Sequence, residues 1–157
     1  MPMTVSRRRL VDTDRIERLY RELDGKEVVW GWTERAKDYP DGTSIHLVVA
    51  ANNLGTNTIP RRPILSLSFD KHIEGLEALS DALNTALLDA GAGANVDPLL
   101  LAIAQRAASE FKRDFGNIGP MRPLAQSTQD RKGHGTIWIE SGHAKEQVGY
   151  QIREGSL

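Results

Sequence analysis

The sequence predicts an α+β domain: a small, mostly antiparallel sheet packed against two longer helices, with a long extended loop or arm. Three observations point there. Stretches 70–90 and 97–115 carry apolar residues at helical spacing between clear start and stop signals, and short runs rich in β-branched and aromatic residues lie on either side of them. Between the first such runs and the first long helix stands a Gly- and Pro-punctuated stretch without periodicity. The layers that satisfy this order place both helices on one face of a sheet. The 157 residues are read as a single domain with a flexible basic N-terminal end over 1–10, and area scaling for this length puts the surface buried on folding at roughly 69%.

Taken in order, Val11, Ile16, Leu19, Tyr20 and Leu23 recur at helical spacing, which predicts a short amphipathic helix over Asp12 to Leu23, closed by Gly25. Arg7, Arg8 and Arg9 precede it. Without interleaved aromatics they read as a solvated end more readily than as a nucleic-acid contact. Val28, Val29, Trp30 and Trp32 predict a strand over Lys26 to Thr33, followed by a polar loop ending at Pro40, Asp41 and Gly42. A second strand is predicted over Ser44 to Ala51, where Ile45, Leu47 and Val49 alternate with His46, Val48 and Ala50. His46, with no ligand type at near spacing, reads there as an ordinary sheet residue.

From Asn52 to Leu65, Gly55 supplies backbone freedom while Pro60 and Pro63 stiffen the chain on either side of Arg61 and Arg62. The expectation is a long ordered excursion presenting two arginines, and structured loops of this length usually form functional surfaces. The first long helix is expected to be capped by Asp70, to bury Ile73, Leu76, Leu79, Leu83, Leu87 and Ala90, and to stop at Gly91 and Gly93. The second is expected to be capped by Asp97 with Pro98 in its first turn, its stripe running through Leu100, Ile103, Ala104, Ala107, Ala108, Phe111 and Phe115. Gly116 to Gly135 reads as a loop, mobile at its centre over Gln126 to Gly133. A third strand is expected over Thr136 to Ile139, a turn at Ser141-Gly142, a helical turn over Ala144 to Gln147, and a last strand through Val148, Tyr150 and Ile152. All three tryptophans, Trp30, Trp32 and Trp138, thus fall in expected strands, where core packing accounts for at least two of them.

The chemistry-bearing residues are sparse. Absence of cysteine removes disulfides, thiolate catalysis and Cys-ligated metals, and 20 basic against 21 acidic residues give a net charge of -1, which leaves no overall field for nucleic acid or an anionic membrane. No apolar run reaches the span of a bilayer or forms a signal-peptide core, so neither classical export nor a membrane anchor is expected. His46, His72, His134 and His143 match no metal-binding spacing, and no phosphate-binding glycine pattern follows a strand, so no cofactor is expected. Ser141 and His143 place a hydroxyl near an imidazole, a weak hydrolase signal, because neighbours so close in sequence rarely face one another as nucleophile and base. Recognition through surfaces is what remains, with Arg61 and Arg62 suited to acidic surfaces of neighbouring subunits.

Two stretches carry a resemblance. Ala50-Ala51-Asn52-Asn53-Leu54-Gly55-Thr56 followed by Ile59-Pro60-Arg61-Arg62-Pro63-Ile64-Leu65 resembles the "A-x-x-N-E-x-G…I-P-x-R-P-F-L" pattern of the tail-completion and neck proteins of tailed bacteriophages. Lys132-Gly133, then Ile137-Trp138-Ile139-Glu140-Ser141-Gly142-His143 and Val148-Gly149-Tyr150-Gln151-Ile152, resembles the same family's ending, "L-I-D-T-G-x-L" and then "S-I-x-Y-x-V". Asn53 stands where that pattern has an acidic residue, Ile64 where it has an aromatic, and Glu140-Ser141 where it has Asp-Thr.

The resemblance covers about residues 27 to 153. It implies a non-enzymatic structural virion protein of the head-tail junction, made in the host bacterial cytoplasm, that forms a ring, often sixfold, and completes the proximal end of the tail. Neighbouring neck or head-closure and tail-terminator proteins are the implied partners. A transient head, tail or baseplate morphogenesis factor is the nearest alternative, and a small hydrolase a third. By the same resemblance Asn52, Asn53, Leu54, Gly55, Ile59, Pro60, Arg61, Arg62, Pro63, Ile64 and Leu65 form an arm or loop that meets a neighbouring subunit or stacked ring, and Gly142 marks the turn before the last strand. Arg7, Arg8, Arg9 and Lys132 are the basic groups that either face a DNA channel or remain solvated.

Overall fold

In a computed structural model, which describes residues 13–90, 95–139 and 141–154, the chain is an α+β domain whose two-stranded antiparallel sheet packs against longer helices. The order is α1 (Thr13–Leu23), β1 (Lys26–Gly31), α2 (Ile45–Leu54), α3 (Ile64–Ala90), α4 (Asp97–Asp114), α5 (Gln126–Lys132), α6 (His143–Glu146) and β2 (Gly149–Glu154). Arg7 to Arg9, Val11, Gly91, Gly93 and Glu140 lie outside the described residues, as do the side chains of Ile16, Leu19 and Tyr20.

The last strand finds its partner in the first. Lys26 stands opposite Glu154, Val28 opposite Ile152 and Trp30 opposite Tyr150. Helix α4 lies against both strands and against α3. Its stripe supplies the core: Phe111 and Phe115 are almost wholly buried and contact one another edge to face at 5.3 Å, with Ile64, Ala108 and Val148 around them. Trp32, just beyond β1, stands edge-on to both phenylalanines at 5.3 and 5.9 Å. Trp30 stacks on Phe69 of α3 at 6.1 Å. The aromatic residues therefore tie β1 to both long helices, a geometry in which ring edges meet ring faces favourably.

Several local expectations are corrected. Ser44 to Ala51 is not a strand: Ile45 to Leu54 form α2, where Ile45 and Val49, four residues apart, are the buried pair. Short apolar runs satisfy either period, and here tertiary contacts choose the helix. The Asp38 carboxylate accepts the Ile45 N–H at 2.9 Å and His46 Nε2 donates to the Thr33 carbonyl at 3.1 Å. Helix α3 starts at Ile64, six residues before Asp70, so Asp70 is an interior residue and not a cap. Pro63 sets the backbone just ahead of the helix and Asn53 Oδ1 accepts the Leu65 N–H at 3.1 Å, satisfying a donor that the first turn leaves free. Asp97 likewise lies inside α4; Asn95 Oδ1 accepts its N–H at 2.9 Å while its carboxylate pairs with Lys26 at 2.7 Å.

The third strand expected over Thr136 to Ile139 is absent. The backbone turns there, with Trp138 at φ +65°, and the turn brings its ring onto Trp32 at 5.7 Å. A positive φ is costly for a bulky residue, and packing against the core edge offsets it. The stretch expected as a loop over Gln126 to Gly133 contains α5 instead, a short helix with no buried residue, which apolar periodicity could not reveal.

A buried ionic group joins α3 to α4. Asp114, 1% exposed, receives Lys71 Nζ at 2.6 Å and His72 Nε2 at 2.9 Å, and Glu110 beside it receives Arg106 at 2.7 Å and Arg113 at 3.3 Å. Burial pushes the Asp114 carboxyl up, but hydrogen bonds from Lys71 and Ser68 together with His72 outweigh it and hold the group below its ordinary value.

Candidate functional site

The two stretches that carry the family resemblance are far apart in sequence and adjacent in space. Trp138 Nε1 donates to the Arg62 carbonyl at 3.1 Å, joining them directly. Between them opens a cleft of about 850 Å³, walled by Asn52 and the Thr56–Pro60 turn, by Arg62, by Arg122 to Ala125 with α5, and by Trp138 and Ser141 to Ala144.

The first wall is folded onto itself and does not extend as an arm. Asn52, Asn53 and Leu54 form the last turn of α2, Ile64 and Leu65 the first turn of α3, and only 55–63 lie between the helices. The Arg62 N–H bonds to the Asn52 carbonyl at 2.8 Å, and the Thr56 N–H to the Ile59 carbonyl at 2.8 Å. Gly55 makes the turn at φ +83°, where a Cβ would stand 3.0 Å from the Arg61 nitrogen, so the close return of the chain requires glycine. The Arg62 bond back to α2 and the Thr56–Ile59 bond inside the loop draw it in, so neither the long excursion expected from the prolines nor the arm that the resemblance implies is formed.

The arginines of this wall have opposite fates. Arg61 is exposed. Arg62, expected to be presented with it, is 6% exposed; its Nε donates to the Arg122 carbonyl at 3.0 Å and its Nη2 to the Pro123 carbonyl at 3.2 Å. No carboxylate among the described residues pairs with it. Burial first, and the charge of Arg122 second, hold the guanidinium below the usual arginine value. Ile64 is fully buried in the core and not available as a contact surface, whereas Leu54 is 68% exposed. Pro63 and Leu65 are half-buried, as are Asn52, Asn53, Gly55, Ile59 and Pro60.

The opposite wall was not legible as a site. Arg122 is an isolated cation between Met121 and Pro123 in an aperiodic segment, and nothing in its sequence context marks it. Lys132, the last residue of α5, is half-buried and donates to the Thr136 carbonyl at 3.2 Å on the cleft side. Gly116 allows the chain to enter this wall at φ +77°, where a Cβ would meet Thr136 Cγ2 at 2.9 Å.

The Ser141 and His143 side chains do not form a nucleophile and base. Ser141 Oγ accepts the His143 backbone N–H at 3.3 Å, while the imidazole Nε2 donates to the Lys37 carbonyl at 2.9 Å and its ring leans on Tyr39 at 4.8 Å. A proton on Nε2 fixes the tautomer and directs the ring away from the hydroxyl. Among the described residues no His, Asp and Glu group gathers as metal ligands, and no helix is long and apolar enough to cross a membrane.

A second surface feature lies next to the loop. Leu47, Ala50 and Leu54, at helical spacing on α2, are all exposed, both leucines at 68%. Ile45 and Val49 face inward on the same helix, so α2 is apolar on two sides and only one is covered. No family model, curated protein or solved structure matches the chain.

Proposed function

We propose that this chain is a non-enzymatic structural protein of the head-tail junction of a tailed bacteriophage, which assembles as a ring, often sixfold, and completes the proximal end of the tail. The observation that carries the assembly reading is the uncovered apolar stripe Leu47, Ala50 and Leu54, which leads directly into the Gly55–Pro63 loop. An outward apolar helix face beside a turn-bonded loop suits a subunit contact better than it suits a solitary domain. The particular family rests on the resemblance of Ala50 to Leu65 and Lys132 to Ile152, and the direct bond from Trp138 to Arg62 supports reading those stretches as one functional face. In this reading Leu54, Arg61 and the exposed Thr56-to-Thr58 turn meet the next subunit, while neck or head-closure and tail-terminator rings lie above and below.

The test is the mass of the purified chain in solution together with its position in an electron-microscopy map of the particle. A ring at the head-proximal end of the tail, lost as a soluble oligomer when Leu47→Asp and Leu54→Asp are combined with the monomer fold intact, is the expected result. A strictly monomeric chain missing from mature particles would replace this reading with that of a transient assembly factor.

A further inference from the structure

The cleft poses an electrostatic problem that the assembly reading does not use. A guanidinium stays protonated in a protein, and a charge removed from water is costly unless an opposite charge compensates it. Arg62 is 6% exposed, and its partners are two carbonyl oxygens, those of Arg122 and Pro123. These engage Nε and Nη2 and leave Nη1 with protons to donate. After burial itself, the charge of Arg122 holds the Arg62 guanidinium below its usual value, and Arg122 is exposed with no carboxylate partner among the described residues. Both residues line the cleft, and no described residue of its lining is acidic.

The bonds of the Arg62 side chain to the Arg122 and Pro123 carbonyls bring like charges from the two walls together and create a local positive potential inside a concave space. An oxyanion is the complement: it accepts from guanidinium donors in a planar, paired geometry and turns a repulsive pair into a bridged one. The rest of the lining carries the hydroxyl- and amide-bearing Asn52, Thr56, Thr58 and Thr128, the further cations Arg131 and Lys132, and Trp138. A volume of about 850 Å³ exceeds a single small ion and falls in the range of small-molecule sites.

We propose that this cleft is an oxyanion-binding site in which Arg62 and Arg122 receive the phosphate or carboxylate group of a small ligand, the hydroxyl-bearing walls holding the remainder. The inference stands apart from the ring reading, since a monomer could bind and a ring could form without it.

Calorimetric titration of the full chain with inorganic phosphate, and separately with glutarate, tests it, each against potassium chloride at matched ionic strength. Saturable binding of either probe that Arg122→Ala weakens by about tenfold or more is expected, because a hydrogen bond to a charged group is involved. Arg122 makes no side-chain hydrogen bond or ion pair within the described residues, so this variant keeps the fold, which the unchanged circular dichroism of the unliganded protein checks. Arg62→Lys, which keeps the charge and loses the fork, should weaken binding less than Arg122→Ala combined with it. Arg35→Ala, an exposed cation outside the cleft lining, should bind as the parent does. Phosphate alone, glutarate alone or both responding would each uphold the site and name its ligand class. No saturable binding of either, binding matched by chloride, or equal affinity in Arg122→Ala would overturn it.

Discussion

The side of the molecule built on α4 and the side that holds the cleft are stabilised by different kinds of contact. On the first, Phe111, Phe115, Ile64 and Val148 are buried together, and β1 and β2 pair residue by residue across one register. On the second, Trp138 leans on the core edge at Trp32 and Phe115, and otherwise single hydrogen bonds join distant segments: Arg62 to the 122–123 carbonyls, Trp138 to Arg62, His143 to Lys37. Burial of apolar area is cooperative and insensitive to one atom's placement, whereas a bond between a side chain and a remote carbonyl depends on both ends being delivered. The core side therefore sets global stability and the cleft side local order, since regions held by few buried apolar contacts open at lower free energy than the core.

Breaking the core side is expected to have the largest effect. Phe111→Ala should cost about 3–5 kcal/mol, the range for deleting a buried aromatic, read from chemical denaturation as an earlier midpoint. A cost below about 1 kcal/mol would mean that α4 is not where stability resides.

The next is electrostatic and distinguishes the core side further. The folded pKa of Asp114 is depressed, so its contribution is fully present above the unfolded value of about 3.9 and is lost as pH falls through the lower folded value. Between those values the unfolded chain binds more protons, and stability rises with pH. Asp114→Asn should cost about 2–3 kcal/mol near neutral pH, because Lys71 and His72 lose a buried anion, and should flatten the acid limb of a thermal-melting series against pH. An unaltered acid limb would remove Asp114 from the account.

The smallest effect on global stability tests the cleft side. Trp138→Phe keeps a ring beside Trp32 and removes the donor to the Arg62 carbonyl, for about 1 kcal/mol. Hydrogen exchange should quicken at amides of 136–139 and 141–143 while those of α4 hold their protection. Equal acceleration in both would show one cooperative unit and erase the contrast.

Legibility follows the same division. The helical spacing of α3 and α4, the strand containing Trp30, the last strand and the short turn at His143–Glu146 are readable as patterns in contiguous residues, although of the α3 stripe Leu76 is buried while Ile73, Leu79, Leu83 and Leu87 are only half-buried. Leu54 and Arg61 are exposed, but Arg62 and Ile64, equally conspicuous in the sequence, are buried. Arg122 was silent, since an isolated arginine in an aperiodic loop acquires meaning only when Arg62 is brought to it.

Periodic burial and turn residues act within a few residues of chain, and they suffice for the α+β class, the two long helices and the strands β1 and β2. Tertiary structure decided the rest. It turned Ile45–Leu54 into a helix, began α3 at Ile64, bent the chain at Trp138 and drew Arg62 inward. Each is accompanied by a contact that reaches outside the local stretch: Asp38 and Thr33 for α2, Asn53 for α3, Trp32 for Trp138, Arg122 and Pro123 for Arg62. Local propensities differ by less than such contacts contribute, so the choice is made only when the chain closes on itself.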